Sequence, residues 1–99
     1  RIGKVAMVGA HSKVVKDVPP YVLVDGHPAH VNGINVIGLR RNGIKPSLRK
    51  EIKRAYKILY RSNLTIDKAL ERMDQELDAS QEIEHFLRFL RNVQRGICR

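Results

Sequence analysis

The chain has 99 residues and a mass of 11.3 kDa, with 19 Lys and Arg against 10 Asp and Glu, a net charge of +9. A hydrophobic content of 42% excludes a disordered polyampholyte, because that much apolar surface offsets chain entropy once buried. No apolar run approaches the ~20 residues of a membrane-spanning helix, and the single cysteine, Cys98, excludes an intramolecular disulfide framework and a Cys-based zinc site. A lone thiol fits a reducing compartment, so a cytoplasmic location is expected. The chain opens on Arg1 inside a repeat rather than on Met, and further chain is expected upstream.

The positive charge is concentrated. Residues 1–62 carry 13 basic and 3 acidic side chains, whereas residues 63–99 carry 6 basic and 7 acidic. The densest stretch is Arg49, Lys50, Lys53, Arg54, Lys57 and Arg61, interrupted only by Glu51. Such a field attracts polyanions: a nucleic acid, an acidic membrane, phosphates or an acidic protein. A solvated helix face is the plain alternative.

The first 25 residues repeat with period six. Ile2, Val8 and Val14 begin three successive hexads, Gly3 and Gly9 follow the first two, and Ala6, Ser12 and Val18 hold the fifth place. A triangular parallel β-helix needs this arrangement. One aliphatic per face points inward, and a small or β-branched residue fits the corner. Three hexads make one coil, and a coil needs hydrogen-bonding partners above and below. A pair of ordinary short strands with glycine turns is the alternative. Asp17-Val18-Pro19-Pro20-Tyr21 ends the pattern, since tandem prolines donate no ladder hydrogen bonds and suit an edge. Tyr21 to Val24 reads as one more strand, and the turn dipeptides Asp25-Gly26 and His27-Pro28 predict a linker over 25–33.

The remainder reads as helices. Asn35 to Asn42 predicts a short helix with Gly43 as its stop. Pro46 or Ser47 opens the next, which runs to about Arg61 with Leu48, Ile52, Ala55, Tyr56 and Leu59 on its apolar face. Thr65 caps a third helix with Ile66, Ala69, Leu70, Met73 and Leu77 as its stripe. Ser80 caps a fourth, with Glu82 and Glu84 favouring its dipole. Ile83, Phe86, Leu87, Leu90 and Val93 or Gln94 mark its face, and Gly96 is expected to end it. The expected fold is thus the last coil or coils of a parallel β-helix, with its linker, over 1–31, then an α-helical domain of about four helices over 32–99.

Little in the chain reads as a reaction centre. There is no Walker-type glycine loop, dinucleotide fingerprint or serine elbow. His27 and His30 are three apart on a proline turn with only Asp25 nearby, and are not taken as a metal site. His11 lies on the coil, where a histidine has the right pKa for proton transfer, but a surface or inter-subunit position suits it better. Arg40-Arg41 is the best phosphate-binding candidate, because guanidinium forks match phosphate oxygens two bonds at a time. Asn35, five to six residues earlier, offers an amide donor and acceptor suited to a nucleobase edge.

Three separated segments carry a family resemblance. Gly33-Ile34-Asn35-Val36-Ile37-Gly38-Leu39-Arg40-Arg41, Ala55-Tyr56-Lys57-Ile58-Leu59-Tyr60-Arg61-Ser62 and Arg95-Gly96-Ile97-Cys98-Arg99 resemble, in order, motifs of the acyl-[acyl-carrier-protein]–UDP-N-acetylglucosamine O-acyltransferases. With the hexads and Asp17-Val18-Pro19-Pro20-Tyr21, the resemblance spans essentially the whole chain.

The resemblance implies a homotrimer of left-handed β-helices with a C-terminal helical domain and an active site between subunits. It implies transfer of a 3-hydroxyacyl chain from acyl carrier protein to the 3-OH of UDP-N-acetylglucosamine, the first step of lipid A synthesis, without a cofactor or metal. The family's catalytic histidine lies on an upstream coil and nothing here matches it, so this segment is expected to be catalytically inactive alone. It implies nucleotide contacts by Asn35 and Arg41. The family's second arginine is Asn42 here, its acidic residue is Ile37, and its turn histidine falls at Pro28 beside His27. Because acyl carrier protein is acidic, Lys50, Lys53, Arg54 and Lys57 are expected to dock it. Rival readings are an acyltransferase using acetyl-CoA or a 3-amino sugar, a basic helical nucleic-acid-binding module, and a structural cap that only closes the β-helix.

Overall fold

The computed structural model describes residues 2–9, 12, 16–26, 29–93 and 96–99. The third hexad position Val14, together with His11, His27, Pro28 and Gln94, lies outside the described residues.

The hexad region forms a partial left-handed β-helix coil. Strand β1 (Met7–Val8) runs parallel to β2 (Val22–Asp25), pairing Met7 with Leu23 and Val8 with Val24. A further parallel bridge joins Ile2 to Val18. Both pairings join residues sixteen apart, two fewer than three full hexads, and the tandem prolines Pro19 and Pro20 follow the Ile2–Val18 bridge. Gly3 faces those prolines: a Cβ there would run into the Pro20 backbone. The Gly3 N–H donates to the Val18 carbonyl at 2.7 Å. Val5 (φ 59°) and Tyr21 (φ 70°) turn the corners in left-handed backbone, a conformation costly for residues with a Cβ. Tyr21 is therefore a corner residue and the strand begins one residue later, at Val22.

The expected linker over 25–33 is instead largely a strand. β3 (His30–Ile34) lies antiparallel to β2, with Val22 opposite Ile34 and Asp25 opposite His30, and with a bulge at Leu23/Val24. Turn residues between two apolar runs can serve a linker or a hairpin, and only the paired strand distinguishes them. Val31 packs against the coil cluster of Val18, Val22 and Val24.

Four helices follow: α1 (Val36–Arg41), α2 (Pro46–Arg61), α3 (Ile66–Glu76) and α4 (Gln81–Arg91). Thr65 caps α3, its hydroxyl accepting from the Lys68 N–H. Ser80 caps α4 by accepting from Ile83 N–H at 3.1 Å. α4 ends at Arg91 rather than near Gly96. Asn92 closes it, its backbone N–H bonding to the Phe89 carbonyl and its Nδ2 donating to the Arg88 carbonyl at 2.9 Å. Gly96 (φ +79°) instead turns the chain back to the coil. There Ile97 bridges Asp17 in parallel, and the Cys98 N–H donates to the Asp17 carbonyl at 2.7 Å.

Ile52, Ala55, Ile58 and Leu59 of α2 meet Ala69 and Met73 of α3 and Ile83, Phe86, Leu87 and Leu90 of α4 in one buried cluster. Tyr21, from the coil, belongs to the same cluster. Tyr56 and Cys98 reach the other way into the coil cluster. Coil and helices therefore share side chains across their boundary. Ile2 (55% exposed) and Met7 (57%) leave an apolar side of the coil open. No helix among the described residues is long and apolar enough to cross a membrane.

Candidate functional site

α1 is six residues long, too short to persist alone, and it is held from outside. Asn35 does most of this. Its Oδ1 accepts from the Gly38 N–H at 3.1 Å, capping the helix, while its Nδ2 donates to the Val5 carbonyl at 2.9 Å. Its own N–H donates to the Tyr21 carbonyl at 2.7 Å. Asn35 is buried, and its amide fills the space beside Gly38, where an added Cβ would collide with Nδ2. The asparagine expected at a nucleobase thus spends both ends of its amide on fold contacts.

At the other end, Gly43 (φ +72°) allows a paired closure. The Gly43 N–H donates to the Arg40 carbonyl and the Ile44 N–H to the Leu39 carbonyl, both at 3.0 Å. Asn42 adds a bond from Nδ2 to the Gly38 carbonyl at 2.7 Å. The residue that departs from the double-arginine pattern is therefore a helix cap. Arg40 and Arg41 stand exposed on the last turn, where cations complement the helix dipole. Val36 (40% exposed) and Ile37 (62%) expose apolar surface on the first turn. α1 thus offers a short surface with an apolar start and a cationic end, anchored inward by Leu39.

Lys50, Lys53, Arg54 and Lys57 are all exposed. At 100° per residue they fall on one stripe of α2, with Arg61 continuing it. Arg54 pairs with Glu51 at 2.8 Å, but no ion pair involves Lys50, Lys53 or Lys57 among the described residues. The first turn of α2 holds no acidic residue and Lys45 supplies no side-chain cap. Arg49 and Lys50 therefore face the positive end of the helix dipole, an arrangement that costs stability. Glu51 accepts from the Asp78 N–H at 3.1 Å. A recess of about 620 Å³ beside it, lined by Leu48, Lys50, Arg54 and Asp78, opens along this stripe.

Other polar groups join the layers. The Tyr21 hydroxyl donates to the Glu82 carbonyl at 3.0 Å, and its ring stacks on Phe86 with centroids 6.2 Å apart. Burial and the Glu82 carboxylate push its phenol up to about 12. Tyr60 donates to the Cys98 carbonyl at 2.8 Å, and burial raises its phenol above the ordinary value. The Cys98 thiol is buried and also raised by desolvation. Among the described residues no three His, Cys, Asp or Glu side chains gather as a metal site would require.

The structure brings Asn35 and Arg41 onto one helix and sets the four basic docking candidates on another. Sequence reasoning missed Val5 and Tyr21, whose backbone carbonyls hold Asn35. Their signal was weak: only the Tyr after two prolines hinted at Tyr21, and Val5 stands one place before the hexad position read as the corner.

Comparison with known proteins agrees with this architecture. The family description "UDP N-acetylglucosamine O-acyltransferase, domain 2" matches residues 17–98. A protein of Halorhodospira halophila named acyl-[acyl-carrier-protein]–UDP-N-acetylglucosamine O-acyltransferase is 42% identical over 99 residues, covering 100% of this chain and 38% of that protein. A protein of the same name from an Anaeromyxobacter species is 40% identical over the same span, again 38% of its length. The crystal structure of a UDP-N-acetylglucosamine acyltransferase from Bacteroides fragilis superposes with a TM-score of 0.96 at 40% identity, covering 100% of this chain and 39% of that one. The Acinetobacter baumannii structure gives 0.94 at 35% identity, covering 99% and 38%. The chain thus spans about two fifths of the length of these relatives. On the match over residues 17–98, on these identities and on a coil continued by four helices, the chain belongs to the UDP-N-acetylglucosamine O-acyltransferase family.

Proposed function

We propose that this chain is the C-terminal part of an enzyme that moves a 3-hydroxyacyl group from acyl carrier protein to the 3-OH of UDP-N-acetylglucosamine, the first step of lipid A synthesis. The observation that carries the reading is α1: an exposed surface held against the coil, with Arg41 at its cationic end. A nucleoside diphosphate presents a flat, partly apolar base and a dianionic pyrophosphate, and the two turns of α1 offer Ile37 and Arg41 to those parts. Asn35 sets the position of α1 through Gly38 and Val5, and contacts the nucleoside only by exchanging one of those bonds.

The lysine stripe of α2 docks the acidic carrier. Unpaired, solvated cations on one face raise the encounter rate of a negative partner more than its final affinity. The exposed Ile2 and Met7 are buried between copies in a homotrimer, and the enzyme works in the cytoplasm. This segment supplies binding surfaces and no catalytic residue.

The structural-cap reading has one observation in its favour: Asn35 and the 96–98 segment both clasp the coil. The deciding experiment incubates the full-length protein with UDP-N-acetylglucosamine and a set of 3-hydroxyacyl carrier proteins, with acetyl-CoA as parallel donor, and weighs the products. An alkali-labile ester formed only from the carrier-protein donor is expected. Product from acetyl-CoA alone overturns the assigned donor, and no product from any donor overturns the assigned acceptor.

A further inference from the structure

Tyr21 turns its corner of the coil at φ +70°, in the left-handed region that suits glycine and disfavours any residue with a Cβ. A bulky residue keeps such a conformation only where its surroundings over-determine it, and such places concentrate where position matters. A glycine would turn this corner without strain but would reach nothing beyond it.

The side chain and backbone of Tyr21 are held at separate points. Its N–H donates to the Lys4 carbonyl at 2.9 Å, and its carbonyl accepts from the Asn35 N–H at 2.7 Å. Its hydroxyl donates to the Glu82 carbonyl at 3.0 Å. Its ring lies within 9° of parallel to that of Phe86 and meets the His85 ring edge-on, with centroids 6.3 Å apart. The residue is buried throughout.

These partners come from three parts of the fold. Lys4 belongs to the coil, Asn35 is the N-cap of α1, and Glu82, His85 and Phe86 belong to α4. The start of α4 is itself secured: Ser80 caps it, and the Asp78 N–H just before it is held by the Glu51 carboxylate of α2. One residue therefore carries the α1 cap on its carbonyl and is tied to the helical layer by its hydroxyl and ring. The corner needs a left-handed residue and the tie needs a long side chain ending in a donor. The strained φ is the result of meeting both needs at one position.

We infer that Tyr21 is a positioning residue for the α1 surface: its side chain, fixed to the start of α4, holds the corner carbonyl on which Asn35 and α1 hang. The inference rests on the reading of α1 as the nucleotide surface. Tyr21 touches no substrate. It sets where Ile37 and Arg41 stand relative to the coil, and recognition weakens steeply when binding groups are displaced.

The test compares the full-length parent with Tyr21→Phe, which keeps the ring and loses the tie to Glu82. Ile58→Val is the control, a core change in α2 of similar effect on stability that leaves the corner alone. Amide exchange is followed at Asn35 and Gly38, whose N–H groups bond to the Tyr21 carbonyl and to Asn35 Oδ1. In Tyr21→Phe these two amides should exchange about fivefold faster relative to the buried amides of α2 and α4, by local opening. The KM for UDP-N-acetylglucosamine should rise about fivefold with kcat unchanged, the pattern of lost ground-state binding. The KM for the acyl carrier protein should not move. Ile58→Val should lower the melting temperature and leave both KM values as they were. An exchange pattern in Tyr21→Phe that matches Ile58→Val overturns the inference and leaves Tyr21 a packing residue. Arg41→Ala, assayed alongside, separates the two ways of failing. If it raises the KM for the nucleotide sugar and Tyr21→Phe does not, the positioning role falls and the α1 reading stands. If neither moves that KM, the α1 reading has failed and the positioning role falls with it.

Discussion

The amide of Asn35 occupies the volume that a Cβ on Gly38 would need. One residue supplies the cap and the other supplies room for it. The glycine inside α1, at a position where glycine costs helix stability, thereby has a packing reason. Asn35 also reaches Val5, so the two residues together decide how α1 sits on the coil.

This relationship predicts a coupled mutational response. Gly38→Ala should destabilise the protein by about 1–3 kcal/mol, because the new methyl displaces a buried amide. Asn35→Ala removes the cap and the Val5 bond, at a cost of about 1–2 kcal/mol. In the double variant the clash has nothing to strike, so the Gly38→Ala penalty should largely vanish. Denaturant unfolding of the four proteins measures the coupling, and strict additivity would refute the shared space.

Arg41 is expected to act on the nucleotide sugar. Arg41→Ala should raise the KM for UDP-N-acetylglucosamine about tenfold and leave the melting temperature unchanged, since the side chain is exposed. Arg40→Ala provides the internal comparison, because adjacent residues point about 100° apart on a helix. Steady-state kinetics at saturating acyl donor reads both. An Arg41 variant with an unaltered KM would remove the phosphate role.

The α2 stripe predicts a salt-dependent effect. Lys50→Glu, Lys53→Glu and Lys57→Glu combined should raise the KM for the acyl carrier protein several-fold at low ionic strength. The difference should shrink above ~0.3 M salt, where surface charges are screened within a few ångströms. The three side chains are exposed and in no ion pair among the described residues, so the fold should survive. An unchanged KM at low salt would leave the stripe without a docking role.

Tyr21 predicts alkaline sensitivity. Its phenol titrates near 10 when unfolded and at about 12 in the fold. Above pH 10 the unfolded chain releases a proton that the folded chain keeps, so stability falls as pH rises through this window. The contribution is complete below pH 10. Tyr60, raised in the same direction, adds to the loss. Melting temperatures from pH 8 to 11 should fall less steeply in Tyr21→Phe than in the parent, although Tyr21→Phe starts about 1 kcal/mol lower for lack of the Glu82 bond.

Much of this fold is written in local signals. The caps at Thr65 and Ser80, the proline that opens α2 and the apolar stripes of α2, α3 and α4 act within a few residues of themselves, so their spacing alone announces them. The hexads announce the coil for the same reason, and the motif around Asn35 marks the family. What tertiary structure decided is non-local. Residues 25–33 hold turn dipeptides that suit a linker or a hairpin, and β2 selects the hairpin by pairing with β3. The end of α4 moves from Gly96 to Asn92, because the segment from Gly96 onward is drawn to Asp17 on the coil. Asn35 reads as a ligand group by its chemistry and becomes a clamp once Val5, thirty residues away in sequence, presents its carbonyl. Spacing determines which elements form, since their hydrogen bonds and apolar faces are periodic along the chain. Which polar groups remain free for a ligand is determined by partners far apart in sequence, and only the closed fold brings those together.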